Sequence, residues 1–239
     1  DNADQSLGNS LDVIRDQMPG YSGPNPFVHG VASGDPLAYQ VILWTRITAE
    51  GLDEIPVIVQ VSETPDFGTL VYEGIGYARS SADYTVKIDA NLPQPGTTYY
   101  YRFESLGYVS STGRTRTTPA PSQQTDHLRL AVVSCSNYPY GYFNAYRRIA
   151  YRPDLDAVIH LGDYIYEYAQ GEYADKNLTG MRPVDPPHEI VSLDDYRRRY
   201  ACYRTDGDLQ ECHRQHPFIC VWDDHEITDN SWKDGAKNH

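Results

Sequence analysis

The chain has 239 residues, of which 40% are hydrophobic and 22% are charged, with a formal net charge of -13 at pH 7. This length suits one large domain or two small ones, and with this composition we expect neither a disordered chain nor a transmembrane segment. The negative charge argues against nucleic acid as a stable partner, but an anionic substrate stays compatible, since a bound multivalent cation reverses the local field.

Tyrosine is abundant, with 21 residues against 5 phenylalanines. This is typical of an extracytoplasmic enzyme whose phenols pack half-buried with their hydroxyl groups in water. Neither a signal peptide nor a lipidation motif is visible, so the chain is cytoplasmic or already processed, and its start at Asp1 favours processing. We therefore expect a secreted or periplasmic protein from which the signal has been removed.

Residues 1–24 are predicted to form an extension with one short helix, Leu7 to Met18, which Pro19 and Gly20 end. From residue 25 to residue 118 the hydrophobic pattern alternates with a period of two, as in a small β-sandwich. Five segments show this alternation between clusters of Gly, Pro, Asp and Asn: 41–47, 56–62, 69–77, 84–89 and 98–105.

The segment LPQPGTTYYYRF at 92–103 refines the β-sandwich prediction. A Leu, a Pro-Gly turn and a Tyr that enters an alternating strand resemble the tyrosine corner of fibronectin-type sandwiches. Residues 25–118 are therefore predicted to be a fibronectin-like β-sandwich, and residues 119–127 a linker.

The remainder, residues 128–239, alternates strands with helices, which predicts a parallel sheet in an α/β domain. The predicted elements are a strand at 128–135, a helix at 141–151, a strand from 157, a helix at 193–203 and a strand from 218. Three strands leave an open sheet edge and one apolar face uncovered. We expect the domain to be incomplete at its C-terminal end and to co-purify with a second polypeptide fragment that completes it.

Each of the three apolar strands runs into side chains that bind metals. Cys135 ends the first strand, Asp163 and Tyr166 follow the second, and Asp224 and His225 follow the third. Because open α/β sheets bind their ligands at the carboxyl ends of strands, we expect these five side chains to lie together.

Asp163 is predicted to bridge two cations roughly 3.5–4 Å apart, with Gly162 allowing a tight turn. Tyr166 lies three residues further on, on the same side of a turn, and Cys135 would supply a thiolate. Phenolate and thiolate ligands favour a trivalent or soft ion such as iron over magnesium. The alternatives are a capping turn at Asp163 and an ordinary buried thiol at Cys135.

Asp224 is predicted to hold a harder, second cation, and His225 to protonate a leaving group or to bind the substrate oxyanion. The alternative for this acidic string is a capped helix amino terminus. On the helix at 193–203, Arg197 to Arg199 are predicted to pair with acids on a solvated face, or to place one arginine against a phosphate.

The other three cysteines allow different predictions. Cys202 and Cys212 flank the turn-like stretch TDGDLQ, so they either close a small loop as a disulfide or are two buried thiols. Cys220 lies in the middle of an apolar strand, where a packed thiol is predicted.

Several segments together resemble the PhoD-type alkaline phosphatase and phospholipase D family. They are HGVASGDP at 29–36, SCSNYPYGYFNAYRRIA at 134–150, HLGDYIYEY at 160–168, LDDYRRRYACYRTDGDLQ at 193–210 and WDDHEITDN at 222–230. The resemblance implies a fibronectin-like β-sandwich ahead of a calcineurin-like metallophosphoesterase domain. It also implies export and the hydrolysis of phosphomonoesters and phosphodiesters with Fe(III) and Ca(II).

Carried over by motif, the resemblance implies that Cys135, Asp163 and Tyr166 bind iron. It implies Asp163 and Asp224 around the second metal, which other divalent ions also fit, and it places Asn137 and His225 near the phosphate. One departure is that the further His and Asp ligands of such domains have no matching segment in this chain.

Two functions are therefore weighed. The first is hydrolysis of phosphate esters, monoesters or diesters, by a metal-bound hydroxide, with His225 assisting the leaving oxygen. The alternative is a non-catalytic extracellular β-sandwich binding module with a degenerate phosphoesterase domain. Metal content distinguishes the two.

Overall fold

The computed structural model of the protein describes residues 11–49, 51–178 and 180–236. The chain divides into two compact units between Asp126 and His127. In the described parts of the chain, no helix is both long enough and apolar enough to cross a membrane.

The first unit consists mainly of strands. Residues 11–16 are helical, so the short N-terminal helix is confirmed over that range, whereas the predicted residues 7–10 lie outside the described residues. The strands are β1 (Val31–Gly34), β2 (Gln40–Arg46), β3 (Glu54–Ser62), β4 (Leu70–Arg79), β5 (Thr85–Asn91), β6 (Thr98–Ser105), β7 (Tyr108–Val109) and β8 (Gly113–Arg116). All five segments predicted from the alternating pattern are therefore confirmed as strands.

These strands pair in two antiparallel groups that share one apolar core. In one group β2 pairs with β1 and β5, and in the other β3 pairs with β4 and β6, while β6 also pairs with β7 and β8. The period of two is visible along β6, where every second residue is buried, including Tyr99, Tyr101 and Phe103. Alternation occurs because successive side chains of a strand point to opposite faces.

Tyr99 forms the predicted tyrosine corner. Its side chain is fully buried. Its hydroxyl group accepts a hydrogen bond from the Gln94 amide at 3.0 Å and donates one to the Gln94 carbonyl at 3.2 Å. The corner thus ties the start of β6 to the preceding turn.

The second unit contains a parallel sheet with helices. The sheet consists of β9 (Leu130–Val133), β10 (Ala157–His160) and β11 (Pro217–Cys220), with β10 in the middle and both of its pairings parallel. The helices are α1 (Asn144–Ala150), α2 (Leu193–Tyr203) and α3 (Gly207–Gln215). The three predicted strands, their parallel pairing and the helix α2 are confirmed.

Helix α3 was not predicted, because its first residues read as a turn. Asp206 is in fact its N-cap, and its side chain accepts hydrogen bonds from the amides of Asp208 and Leu209. An N-terminal cap and a turn use the same residue types, so composition alone does not separate them.

The structure decides between the two alternatives for Cys202 and Cys212 and corrects the prediction for Cys220. All four cysteines are described and none of them forms a disulfide, so Cys202 and Cys212 are two thiols. Cys212 is buried in α3, and burial raises the pKa of its thiol to about 12. Cys220 is exposed rather than packed, because it lies at the carboxyl end of β11, where the burial of that strand ends.

Part of the second unit's sheet presents apolar side chains to solvent. Leu130, Val132 and Ile219 are 37%, 60% and 38% exposed. This agrees with the expectation of an uncovered apolar face, whereas the second polypeptide fragment stays a prediction.

Candidate metal centre

Cys135 and Asp163 occupy strained turns directly after β9 and β10. Their φ angles are 59° and 53°, in the left-handed region that side chains other than glycine rarely adopt. The two turns are hydrogen-bonded to each other, from the Cys135 amide to the Gly162 carbonyl at 3.2 Å and from the Ser136 amide to the Asp163 carbonyl at 2.8 Å. Strain of this kind concentrates at functional sites, where the surroundings hold it in place.

Gly162 permits the close approach of a third strand end. Its φ is +101°, and a Cβ atom built at this position would lie 2.4 Å from the Asp223 amide nitrogen. The backbone after β11 therefore passes directly over Gly162, which brings the side chains that follow Asp223 next to Asp163.

Replacing Gly162 with alanine is expected to destabilise the second unit strongly. The left-handed backbone alone costs a substituted residue about 1–3 kcal/mol, and the clash with Asp223 adds to that cost. The matched control is Gly141→Ala, because Gly141 is extended, with a φ of 173°, and has no atom within 4 Å of an added Cβ. Chemical denaturation should show a clear loss for Gly162→Ala and a change within about 0.5 kcal/mol for the control. Equal losses would show that the close approach is not needed.

Glu226 holds the second and third strand ends together. Its carboxylate is 7% exposed and accepts the amides of Asp163 at 3.0 Å, Tyr164 at 2.5 Å and Asp223 at 2.8 Å. The acidic string after β11 does contain a capping contact, since Glu226 caps the short 3-10 helix Asp224–Glu226. The same carboxylate also accepts the amides of the turn at Asp163. Glu226 therefore both caps the 3-10 helix and holds the turn that carries a predicted ligand.

Two of the predicted ligands, Cys135 and Tyr166, approach one carboxylate oxygen of a third, Asp163. The Cys135 Sγ and the Tyr166 hydroxyl lie 3.4 Å and 3.2 Å from Oδ2 of Asp163. Burial raises the pKa of the Tyr166 phenol, and the neighbouring Asp163 and Cys135 raise it further. The phenol therefore keeps its proton unless a strong cation displaces it.

Asp163 also belongs to a second group of side chains. Ligand atoms of Asp163, Asp224 and His225 all lie within 4.8 Å of one another. Asp163 thus belongs to two groups of donor side chains, one with Cys135 and Tyr166 and the other with Asp224 and His225. A residue that bridges two metal ions has to be shared in this way.

A buried oxygen of Asp163 tests whether these residues suit a metal. Its Oδ1 atom has no hydrogen-bond partner, and bulk water does not supply one because Asp163 is only 7% exposed. An unsatisfied buried carboxylate oxygen is costly unless a cation compensates it. Together with the thiol, phenol and carboxylate donors around it, this orphaned oxygen fits a metal ion at Asp163.

His225 is held by Glu167, a residue that no sequence motif singles out. The Nδ1 atom of His225 lies 2.8 Å from Oε2 of Glu167, and Oε1 of Glu167 accepts the Asp229 amide at 2.6 Å. The ring of His225 lies 4.3 Å from the ring of Tyr166. Burial lowers the pKa of His225, but the hydrogen bond and charge of Glu167, with the charges of Asp163 and Asp224, raise it overall.

Asn137 lies beside Cys135 and Tyr166 on the wall of a cavity of about 490 Å³. Its Nδ2 donates to the Tyr173 carbonyl at 3.2 Å, and its Oδ1 is buried without a partner. The cavity is open to solvent, and two of its lining residues, Tyr140 and Tyr142, are both 55% exposed. A substrate entering this cavity would meet Asn137 together with two of the predicted ligands, Cys135 and Tyr166.

A buried histidine, His160, supports the turns that carry Cys135 and Asp163. The Nε2 atom of His160 lies 3.0 Å from both the Ser136 hydroxyl and the Tyr146 hydroxyl, and its Nδ1 accepts the Gly162 amide at 3.2 Å. Burial lowers the pKa of His160 to about 4, so its ring is neutral at pH 7. The neutral ring links the residue after Cys135 to the residue before Asp163.

The prediction for the arginines of α2 is confirmed in part. Arg198 pairs with an acid on the surface, Asp185, with an Nη2 to Oδ1 distance of 2.5 Å. Arg199 is turned inward, but its guanidinium contacts backbone carbonyl groups rather than the cavity. A phosphate clamp at Arg199 is therefore not supported.

Comparisons with known proteins show which family the two units resemble. Residues 130–239 match the family described as PhoD-like phosphatase, and residues 15–119 match the PhoD-like phosphatase, N-terminal domain. Alkaline phosphatase D of Bacillus subtilis (strain 168) is 40% identical over 212 residues, which cover 86% of this chain and 36% of that protein. A solved structure of PhoD is 39% identical with a TM-score of 0.83, over 89% of this chain and 41% of that one. The chain thus spans little more than a third of the length of the curated relative.

Proposed function

Because the chain belongs to the PhoD-like phosphatase family, we propose that it hydrolyses phosphate esters with two metal ions bound around Asp163. The observation that carries this proposal is the buried carboxylate of Asp163, whose Oδ1 has no hydrogen-bond partner. Its Oδ2 lies within 3.4 Å of the Cys135 Sγ and the Tyr166 hydroxyl, and a ligand atom of Asp224 lies within 4.8 Å of one of Asp163. When bound, two cations would activate a water molecule as nucleophile and neutralise charge on the phosphoryl group.

The donor atoms suggest how two different ions would be held. Cys135, Tyr166 and Asp163 would hold Fe(III), because thiolate and phenolate suit a soft or trivalent ion. Asp163 and Asp224 would hold Ca(II) or another divalent ion, which prefers carboxylate oxygens. The pKa of Tyr166 is raised, so iron binding would be coupled to the release of its proton.

The remaining residues of the site would handle the ester itself. His225 would donate a proton to the leaving oxygen, and Glu167 would fix its ring by holding Nδ1, which leaves Nε2 for the substrate. The second N–H of the Asn137 amide would donate to a phosphate oxygen.

We extend the proposal to the architecture and the location. The first unit is consistent with a fibronectin-like β-sandwich, supported by its two antiparallel groups and its tyrosine corner. The second would be the first half of a metallophosphoesterase domain, supported by its three parallel strands. The family resemblance supports a secreted or periplasmic location for the protein.

Replacing Tyr166 with phenylalanine is expected to shift or bleach a visible absorption band. A ferric ion bound by phenolate and thiolate absorbs visible light, so the iron-loaded protein should be coloured. The matched control is Tyr173→Phe, because the Tyr173 ring lies 5.8 Å from that of Tyr166 but its phenol is not one of the predicted ligands. A colourless, iron-free and fully active protein would rule out the assignment of iron.

An assay on two matched substrates tests the proposed function. A nitrophenyl phosphate monoester and the corresponding diester should be hydrolysed by the metal-loaded protein, and chelation followed by removal of the metals should abolish both activities. The ratio of the two rates decides between a monoesterase and a diesterase. Absence of hydrolysis by a folded, metal-loaded protein would favour the binding-module alternative.

A further inference from the structure

Arg199 is a buried cation with an unusual set of partners. Its side chain lies in α2 and is 1% exposed. Each of its five N–H groups has a backbone carbonyl acceptor, and these acceptors belong to Tyr166, Tyr168, Asp185, Pro186 and His188. Burial lowers the pKa of Arg199, although arginine keeps its charge in proteins.

The acceptors come from two irregular segments rather than from a helix or a sheet. One segment is 166–168 and the other is 185–188. Buried carbonyl groups in such segments have no neighbouring strand or helical turn to satisfy them, so a donor must come from elsewhere. The planar guanidinium supplies five donors in one fixed fork, whereas lysine has three donors on one atom.

The first of these segments carries two residues of the metal centre. Tyr166 points its phenol at Asp163, and the adjacent Glu167 points its carboxylate at His225. The Ile190 amide, two residues beyond the second segment, also donates to the Glu167 carbonyl at 3.0 Å, which ties the chain after that segment to the first one. A shift of this segment would therefore move a predicted ligand and the partner of the predicted acid together.

We propose that Arg199 is a positioning residue, which fixes the Tyr166 phenol and the Glu167 carboxylate by holding the backbone of 166–168. The inference rests on the proposed function, since the position of the Tyr166 phenol matters only where it binds a metal. Arg199 itself does not contact the substrate cavity, so it would act only through Tyr166 and Glu167.

Arg182 provides a matched control in the same unit. It is 4% exposed, pairs with Asp206 at 2.9 Å, and donates to the Tyr138 carbonyl at 2.7 Å. Its guanidinium also lies 3.8 Å from the centre of the Tyr138 ring. Arg182→Lys therefore disturbs a buried arginine and costs stability without touching the segment that carries Tyr166.

Hydrogen exchange on the metal-free protein tests the clamp directly. Arg199→Lys should speed exchange about tenfold or more at the amides of Gln170, Ile190 and Asp229, whose bonds depend on the two segments. Arg182→Lys should leave these three amides unchanged. Equal exchange in Arg199→Lys and wild type, or equal acceleration by both variants, would overturn the inference. Should Arg199→Lys not fold, Arg199→Gln is the second variant, because its amide keeps donors near the same carbonyl groups.

Metal binding then separates this inference from the proposed function. Arg199→Lys should weaken iron binding about 10- to 100-fold, which is the usual effect of replacing a residue that orients a metal ligand. The same substitution should shift the visible absorption band. Arg182→Lys should change neither. A wild-type protein without metal would contradict the proposed function, and the exchange result would still decide the role of Arg199. Wild-type iron affinity and an unshifted band in Arg199→Lys would contradict the inference.

Discussion

Asp163→Asn is expected to remove more activity than any other single substitution in the described residues. The loss should exceed the roughly 10²–10⁴-fold expected for removal of a general acid. Asp163 is the residue shared by both groups of ligands, and its buried Oδ1 has no other partner. Asparagine keeps the size of the side chain but removes the charge, so both cations should bind weakly at once.

The comparison for this substitution is Asp154→Asn. Asp154 pairs with Arg152 on the surface, with an Nε to Oδ1 distance of 2.9 Å, and lies outside the site. Turnover and bound metal, measured on both variants after each is shown to be folded, should fall only for Asp163→Asn. Retention of both metals and of most activity in Asp163→Asn would exclude the bridging role.

His225→Ala should lower turnover by roughly 10²–10⁴-fold while metal content stays near the wild-type value. The reason is that His225 is assigned to proton donation, because Glu167 holds its Nδ1 and leaves its Nε2 to donate the proton. His225 is also close enough to Asp163 and Asp224 to be a metal ligand itself. The metal content of the variant separates these roles, because a fall in occupancy would show that His225 is a ligand.

Glu167→Gln is the conservative companion to His225→Ala, and it has a signature in the pH profile. Glu167 contributes to the raised pKa of His225, and proton donation requires the protonated ring. Removing the charge of Glu167 should lower that pKa, so His225 should lose its proton at lower pH. The alkaline limb of the turnover profile should then move to lower pH, whereas an unmoved limb would show that His225 is not the acid.

Much of the fold could be predicted because it follows from local patterns. Alternation of buried and exposed residues along segments such as β6 identifies strands, and the Gln94 to Tyr99 corner depends on residues close in sequence. Helix α3 escaped prediction because Asp206, its N-cap, is also a typical turn residue. The prediction that Cys220 is buried was wrong, because apolar neighbours in the sequence do not show at which residue of a strand the burial ends.

The candidate site could be predicted only as far as side-chain chemistry and strand ends allow. Cys135, Asp163 and Asp224 follow apolar strands, and parallel pairing brings such positions together. Glu167, Glu226 and Arg199 could not be found in this way. Their partners are backbone groups and side chains far away in sequence, which become neighbours only in the folded chain.

The metal content of the purified, folded protein tests the central claim most directly. Elemental analysis by mass spectrometry, with the protein concentration measured independently, should give roughly two ions per chain, one of them iron. Asp163→Asn should lose both ions. A folded wild-type protein that hydrolyses phosphate esters without bound metal would contradict the two-metal site around Asp163.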